Sequence, residues 1–159
     1  MRFYLYDRVE EICYGRYMVA VKCITLADDV FDEHFPGHPI FPGSLIMEGL
    51  AQLGGALFEL TMRERGEDIK FAMLSMVNRL KFRKPAKPGD RLVYRVEIKV
   101  MRDDYGVVKA KACLDSSEIA TGELLFAFMK VDAGQQNGIF ETVEITMKKA
   151  KVVTNEGSV

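Results

Sequence analysis

The chain has 159 residues, of which 48% are hydrophobic and 28% charged, as expected for one globular domain with its own core. Its 22 basic and 23 acidic residues nearly cancel, which excludes the strong positive field typical of nucleic-acid-binding proteins. Charged residues precede any long apolar run, so we expect no signal peptide. Three cysteines without metal-ligand spacing fit reduced thiols in the cytoplasm.

The first third of the chain is predicted to form two strands, a loop and a helix, in that order. Alternation and β-forming residues indicate strands over 2–9 and 17–25, whereas prolines and glycines make 26–42 a loop. A helix follows to about residue 64, with Ser44 as a candidate N-cap or Gly43-Ser44 as its first turn. Because it is apolar on nearly every side but carries acidic residues, we expect a buried helix and no membrane span.

The second half of the chain is predicted to be a run of strands joined by short polar turns. The strands are placed at 71–84, 91–101, 105–115 and 119–131. Two strands, one buried helix and a series of antiparallel strands predict an α+β domain, in which a curved sheet wraps around the helix.

The residues after this run are predicted to form an extension outside the domain. The Gly/Gln-rich stretch 132–140 indicates a linker, and 140–151 suits either a strand or a short helix. Residues 154–159 are expected to be disordered. We therefore divide the chain into a domain at 1–131 and a partly disordered C-terminal extension at 132–159.

Residues 34–52, HFPGHPIFPGSLIMEGLAQ, hold the clearest candidates for chemistry. His34 and His38 lie in a Pro/Gly-rich loop just before a helix N-terminus, where functional sites often collect. His34 is a candidate general base, and a purely structural role is equally open. The His-x3-His spacing also suits zinc, but only on a helix, which the intervening prolines exclude.

Glu48 is a carboxylate within the apolar helix. Burial would raise its pKa and keep it protonated, as a general acid requires, and Gln52 one turn later could orient it. The alternative is a narrow solvent-facing stripe of Glu48, Gln52 and Glu59. Gly43 offers a backbone N–H at the positive end of the helix dipole to a carbonyl oxygen, although a simple turn is the common reading of Pro-Gly.

The segment 34–52 closely resembles the signature of the 3-hydroxyacyl-[acyl carrier protein] dehydratases of the FabZ/FabA family. The similarity continues through FAMLSMVNRLKFRKPAKPGDRLVYRVEI and spans residues 3–131. The resemblance implies a hotdog fold and a homodimer, often assembled into a trimer of dimers. It also implies a cytoplasmic hydro-lyase of fatty acid or related lipid biosynthesis. It implies no metal or redox cofactor. The acyl group would arrive on the phosphopantetheine arm of an acyl carrier protein.

The same resemblance implies a role for each motif residue. His34 of one subunit would face Glu48 of the other and would remove the α-proton of a (3R)-3-hydroxyacyl thioester. Glu48, either protonated or acting through a water, would deliver a proton to the departing hydroxyl group. The N–H of Gly43 would hold the thioester carbonyl, with the acyl chain in an apolar tunnel along the helix. The product would be a trans-2-enoyl thioester. A glutamate rather than an aspartate at position 48 resembles the type that does not isomerise this double bond.

A basic segment after the helix is a candidate surface for an acidic carrier protein. A charged outer face of a strand is the alternative. The candidate contacts are Arg79, Lys81, Arg83 and Lys84.

Three other functions stay open: a hotdog acyl thioesterase, a CoA-dependent hydratase and a non-catalytic acyl-binding protein. The presence of both a histidine and a helix carboxylate favours the dehydratase.

Overall fold

The computed structural model describes residues 3–155, apart from the side chains at 137–139 and 142. One seven-stranded sheet, in the order β3-β6-β5-β4-β2-β1-β7, curves around a long helix. All neighbouring strands are antiparallel except β1 and β7. The elements are β1 (Arg8–Cys13), β2 (Tyr17–Cys23), a 3-10 helix (Asp29–Asp32), α1 (Gly43–Glu64), β3 (Lys70–Phe82), β4 (Arg91–Met101), β5 (Tyr105–Leu114), β6 (Ser117–Lys130), α2 (Gln136–Met147) and β7 (Lys151–Val152).

Helix α1 is the centre of the core, as its apolar composition predicts. Nearly every residue from Gly49 to Met62 is buried. A Cβ atom at Gly49 would lie 2.6 Å from the ring of Tyr94 and 2.8 Å from the carbonyl oxygen of Leu5, so glycine lets α1 approach the sheet closely. The predicted α+β hotdog fold is confirmed. No helix among the described residues is long and apolar enough to cross a membrane.

The first predicted strand is wrong in position, and the other elements agree closely. β1 begins at Arg8, not at residue 2; Leu5 and Tyr6 before it are both buried in the core without forming a strand. The remaining predicted strands end within two residues of their observed bounds. Ser44 is not the N-cap: Pro42 holds that position, without a side-chain hydrogen bond, and the Ser44 side chain is exposed. The alternative, that Gly43-Ser44 form the first turn, is confirmed because α1 begins at Gly43.

The C-terminal extension is more ordered than its composition suggests. The predicted linker is wrong from Gln136 onwards, where α2 begins, and the open choice between strand and helix resolves as a helix followed by the short β7. Phe140 of α2 is buried beneath the guanidinium of Arg63, 4.3 Å from its ring centroid. The domain division at 131 stays a prediction, and the disorder expected at 154–159 falls mostly on 156–159, outside the described residues.

Candidate active site

His34 is fixed between the 3-10 helix and α1 by its backbone and by its ring. Its N–H donates to the carbonyl of Val30 at 3.0 Å, and its carbonyl accepts from the N–H of Ile40 at 3.1 Å. The ring Nδ1 lies 2.9 Å from the carbonyl oxygen of Ile40. Because a carbonyl oxygen can only accept, Nδ1 carries the proton in the neutral ring and Nε2 is left with a free lone pair. The ring is therefore held with Nε2 as the nitrogen that can accept a proton.

The loop that carries His34 owes its shape to a tight turn at 35–38. The N–H of His38 donates to the carbonyl of Phe35 at 2.9 Å, and Gly37 has a φ of 72°, a conformation that favours glycine. A further bond, from Phe41 N–H to the carbonyl of Ala86 at 2.8 Å, attaches the loop to the turn before β4. His38 is exposed, and no cluster of three or more potential metal ligands occurs among the described residues.

Gly43 begins α1 with an available backbone donor. The carbonyl of Pro42 accepts from the N–H groups of Leu45 and Ile46, at 3.0 and 3.2 Å, whereas the Gly43 N–H has no partner among residues 3–155. A Cβ atom at Gly43 would lie 3.0 Å from the ring of Phe82. A donor thus lies at the positive end of the helix dipole, beside a cavity of about 370 Å³ that Gly43 lines.

Glu48 lies one turn into α1 and is half-buried. The Nε2 of Gln52 lies 3.4 Å from Glu48 Oε1 and also donates to the carbonyl of Phe3 at 3.2 Å. The Oε1 of Gln52 accepts from the N–H of Leu5, again at 3.2 Å. Gln52 therefore joins Glu48 to the N-terminal segment that precedes β1.

Glu48 and Gln52 line a cavity of about 360 Å³ that follows one face of α1, and we call it the α1 cavity. Glu59 lines the same cavity but is only 7% exposed, so this end of the predicted stripe does not face solvent. Burial raises the pKa of Glu59 from 4.5 to about 7, against the opposing hydrogen bond that its Oε1 accepts from Ala72 N–H at 3.0 Å. Sequence reasoning assigned Glu59 no function, although its spacing from Glu48 predicted that both residues lie on one face of α1.

A single chain does not bring His34 and Glu48 together. Among the described residues no hydrogen bond joins them, and His34 does not line the α1 cavity. The edge strand β3 meanwhile leaves large apolar side chains about half exposed, notably Phe71, Met73 and Met76. An apolar strand edge of this kind is usually covered by another chain or element.

The four basic residues at the end of β3 and just after it separate into two surfaces. Arg79, Lys81 and Arg83 line a groove of about 380 Å³ across β3, β6, β5 and β4, which we call the basic groove. Arg79 has a φ of 53° within a bulge between Asn78 and Lys81, so a regular charged outer face of the strand is interrupted there. Lys84 instead lines the cavity beside Gly43, together with Arg83.

Comparisons with known proteins agree on one family. A family model described as the FabA-like domain matches residues 1–123. The 3-hydroxyacyl-[acyl-carrier-protein] dehydratase FabZ of Campylobacter fetus subsp. fetus is 43% identical over 125 residues, which cover 77% of this chain and 84% of that protein. FabZ of Sulfurimonas denitrificans is 41% identical over 125 residues, with the same coverage of both chains.

Two solved structures agree with the fold. The dehydratase heterocomplex ApeI:P from Xenorhabdus doucetiae matches with a TM-score of 0.66 and 15% identity, covering 87% of this chain and 90% of that one. A hypothetical thioesterase with coenzyme A from Streptococcus pneumoniae matches with a TM-score of 0.61 and 9% identity, covering 79% and 88%. At these identities the structural matches concern the fold alone.

Proposed function

The chain belongs to the FabA-like family, and from that premise we propose that it dehydrates (3R)-3-hydroxyacyl thioesters on acyl carrier protein. The products are a trans-2-enoyl thioester and water, a hydro-lyase reaction of fatty acid or related lipid biosynthesis. The observation that carries the proposal is the 43% identity to a FabZ dehydratase over 77% of the chain. The oriented imidazole of His34 and the cavity-lining Glu48 supply groups suited to that chemistry.

The working unit we propose is a homodimer that completes the site. The half-exposed apolar side chains of β3 support this, because a second copy of the same edge strand would cover them. Such a dimer would place His34 of one subunit opposite Glu48 of the other. A trimer of these dimers is the further assembly that the family resemblance implies.

Proton abstraction is the step assigned to His34 and Gly43. The α-proton of a thioester is weakly acidic, so removal requires stabilisation of the negative charge that develops on the carbonyl oxygen. The free N–H of Gly43, at the positive end of α1, is suited to this oxygen. Nε2 of His34 accepts the proton, and the hydrogen bond from Nδ1–H to Ile40 keeps the ring aligned while it is charged.

Loss of the hydroxyl group is the step assigned to Glu48. Its proton is transferred to the β-hydroxyl oxygen as the C–O bond breaks, so the leaving group is water and not hydroxide. Gln52 holds the carboxyl group through a contact of 3.4 Å. Return of the proton from the His34 imidazolium to Glu48 restores the starting state, so the reaction is balanced without a redox partner. We propose no cofactor beyond the phosphopantetheine that carries the substrate.

Carrier protein is proposed to dock on Arg79, Lys81, Arg83 and Lys84. Acyl carrier proteins are acidic, and a basic surface increases the rate at which an acidic partner arrives. Arg83 and Lys84 support the proposal most strongly, because they line the same cavity as Gly43.

We place the reaction in the cytoplasm, which suits the three free thiols of the described residues.

The test is to supply 3-hydroxyacyl-carrier protein and to follow enoyl product and free thiol separately. We expect enoyl formation without thiol release in the wild type, and neither in His34→Ala or Glu48→Ala. Size-exclusion chromatography would show that both variants keep the native assembly. Thiol release as the main outcome would instead identify a thioesterase, and an unreacted, tightly bound substrate would identify a non-catalytic acyl-binding protein.

A further inference from the structure

The α1 cavity has a carboxyl group at each end. Glu48 and Glu59 are eleven positions apart on one helix face, which corresponds to about 16 Å along the helix axis. Between them this face consists of the small residues Ala51, Gly55 and Ala56, together with Gln52. Small side chains leave room for a ligand along the helix. The cavity therefore leads from the candidate acid to a second carboxyl group that the proposed reaction does not use.

Glu59 has few partners for a buried acid. One hydrogen bond, from the N–H of Ala72, reaches its Oε1. Among the residues whose side chains are described, no cation and no second hydrogen-bond donor pairs with it. Arg63, one turn later on α1, contacts Phe140 and Glu144 instead. A carboxyl group with unused hydrogen-bonding capacity thus lines open space.

The elements around Glu59 offer little to offset a negative charge. The N-terminal segment contributes Tyr4 and Tyr6 to the cavity lining. Burial and the charge of Glu59 raise the pKa of Tyr6 to about 12, so the Tyr6 hydroxyl is neutral near pH 7. Glu48, the other acid of the cavity, has the same sign of charge when ionised. The lining side chains from β3, β6 and α2 are apolar: Phe71, Ala72, Leu74, Phe126 and Val143. Desolvation is accordingly the main influence on the acid, and it raises the pKa of Glu59 to about 7.

We propose that Glu59 determines acyl-chain specificity, rejecting plain alkyl chains that reach it and favouring chains that carry a hydrogen-bonding group there. The inference rests on the proposed dehydratase function. An alkyl chain that covers Glu59 removes the remaining water from the carboxyl group and returns no hydrogen bond, which costs affinity. A hydroxyl group at the same place restores that bond. Glu59 thereby acts as a selective end to the α1 cavity.

A panel of 3-hydroxyacyl-carrier proteins of increasing chain length tests the proposal. With the wild type, we expect kcat/KM to rise about fourfold per added methylene while the chain covers apolar surface. Once the chain reaches Glu59, kcat/KM should fall by about tenfold. In Glu59→Leu the rise should continue past that length. An equally long chain that ends in a hydroxyl group should recover turnover in the wild type and in Glu59→Gln, but not in Glu59→Leu.

Charge on Glu59 gives a second readout. Below about pH 7 the carboxyl group is neutral and less costly to cover, so the ratio of long-chain to short-chain kcat/KM should fall as pH rises through that value. Glu59→Gln, which keeps the acceptor for Ala72 N–H, should show a ratio independent of pH. Short-chain turnover should agree within about twofold among the three proteins, which verifies their folding and catalytic groups.

The outcomes separate the two proposals. Turnover by all three proteins with the same length profile and the same response to a terminal hydroxyl group would overturn the role of Glu59 alone. Wild-type protein that turns over no chain of any length would overturn the dehydratase proposal, and this inference with it.

Discussion

Glu48 and Glu59 occupy the same face of the same helix, yet their surroundings suit them to different tasks. Glu48 is half-buried and its partner is the side-chain amide of Gln52, so it is accessible to a substrate. Glu59 is buried and its partner is a backbone N–H of β3. The difference teaches that helical spacing identifies a shared surface, whereas the elements packed on that surface determine the chemistry of each acid.

The largest expected difference between the two acids is in turnover. Glu48→Gln removes the proton donor while keeping the shape and the contact with Gln52, so kcat should fall by about 10²–10⁴-fold. Glu59→Gln should leave kcat on short chains nearly unchanged. Steady-state enoyl formation measures both variants, with circular dichroism as the control for folding. Equal losses of kcat in the two variants would contradict different roles for the two acids.

In contrast to turnover, the free energy of unfolding should depend on Glu59. The pKa of Glu59 is raised from 4.5 to about 7 in the folded protein, so its proton binds more tightly there than in the unfolded chain. Its favourable contribution is therefore complete below about pH 4.5 and is lost as pH rises through about 7, a change of about 3 kcal/mol. We expect Glu59→Gln to exceed the wild type in free energy of unfolding at about pH 8, by about 2–3 kcal/mol.

Urea unfolding across this pH range is the measurement for that prediction. The advantage of Glu59→Gln should shrink steadily on acidification and nearly vanish below about pH 4.5, where both side chains are neutral. A difference that stays constant with pH would mean that ionisation of Glu59 is not its cause.

Two glycines sharpen the contrast between the buried and the cavity-facing sides of α1. Gly49→Ala would place a methyl group 2.6 Å from the ring of Tyr94, so we expect a loss of about 2 kcal/mol in unfolding free energy. A methyl group at Gly55, the matched control, would meet nothing closer than 3.5 Å, and alanine favours helix, so a gain of up to about 1 kcal/mol is expected. Thermal unfolding compares the pair, and a destabilised Gly55→Ala would contradict this packing.

The smallest expected effect concerns the approach of the carrier to the Gly43 end of the site. Arg83→Glu with Lys84→Glu should lower kcat/KM for carrier-bound substrate by about fivefold, through slower association, with kcat little changed. The effect should weaken at high salt. Lys149→Glu is the control, since this exposed lysine follows α2. Unchanged kcat/KM in the double variant would place carrier docking elsewhere.

Most of the fold could be predicted because its patterns are local. The apolar circumference of α1 and the turn-bounded strands after it follow from residue order alone, and five of the six predicted strands were close. The failures have a common cause. Leu5 and Tyr6 are both buried by tertiary packing without belonging to a strand, and α2 is stabilised by tertiary contacts such as Arg63 with Phe140. Local sequence does not contain these contacts.

The candidate site likewise combines features that local sequence reveals with features that depend on tertiary contacts. His34, Gly43 and Glu48 were recognisable because they lie in one continuous motif, and the structure adds the Nδ1–H bond to Ile40 that orients the imidazole. Glu59 was missed because spacing along α1 does not reveal that β3 and the N-terminal segment cover that end of the helix. The pairing of His34 with Glu48 across two subunits stays a prediction.

Subunit mixing tests the shared site most directly. His34→Ala and Glu48→Ala proteins, each inactive alone, are unfolded together, refolded and assayed for dehydration. If each site combines His34 of one subunit with Glu48 of the other, half of the dimers are mixed and each mixed dimer holds one intact site, so about a quarter of wild-type activity should return. Mixed dimers that form, as shown by a size tag on one variant, but remain inactive would contradict a site built from two subunits.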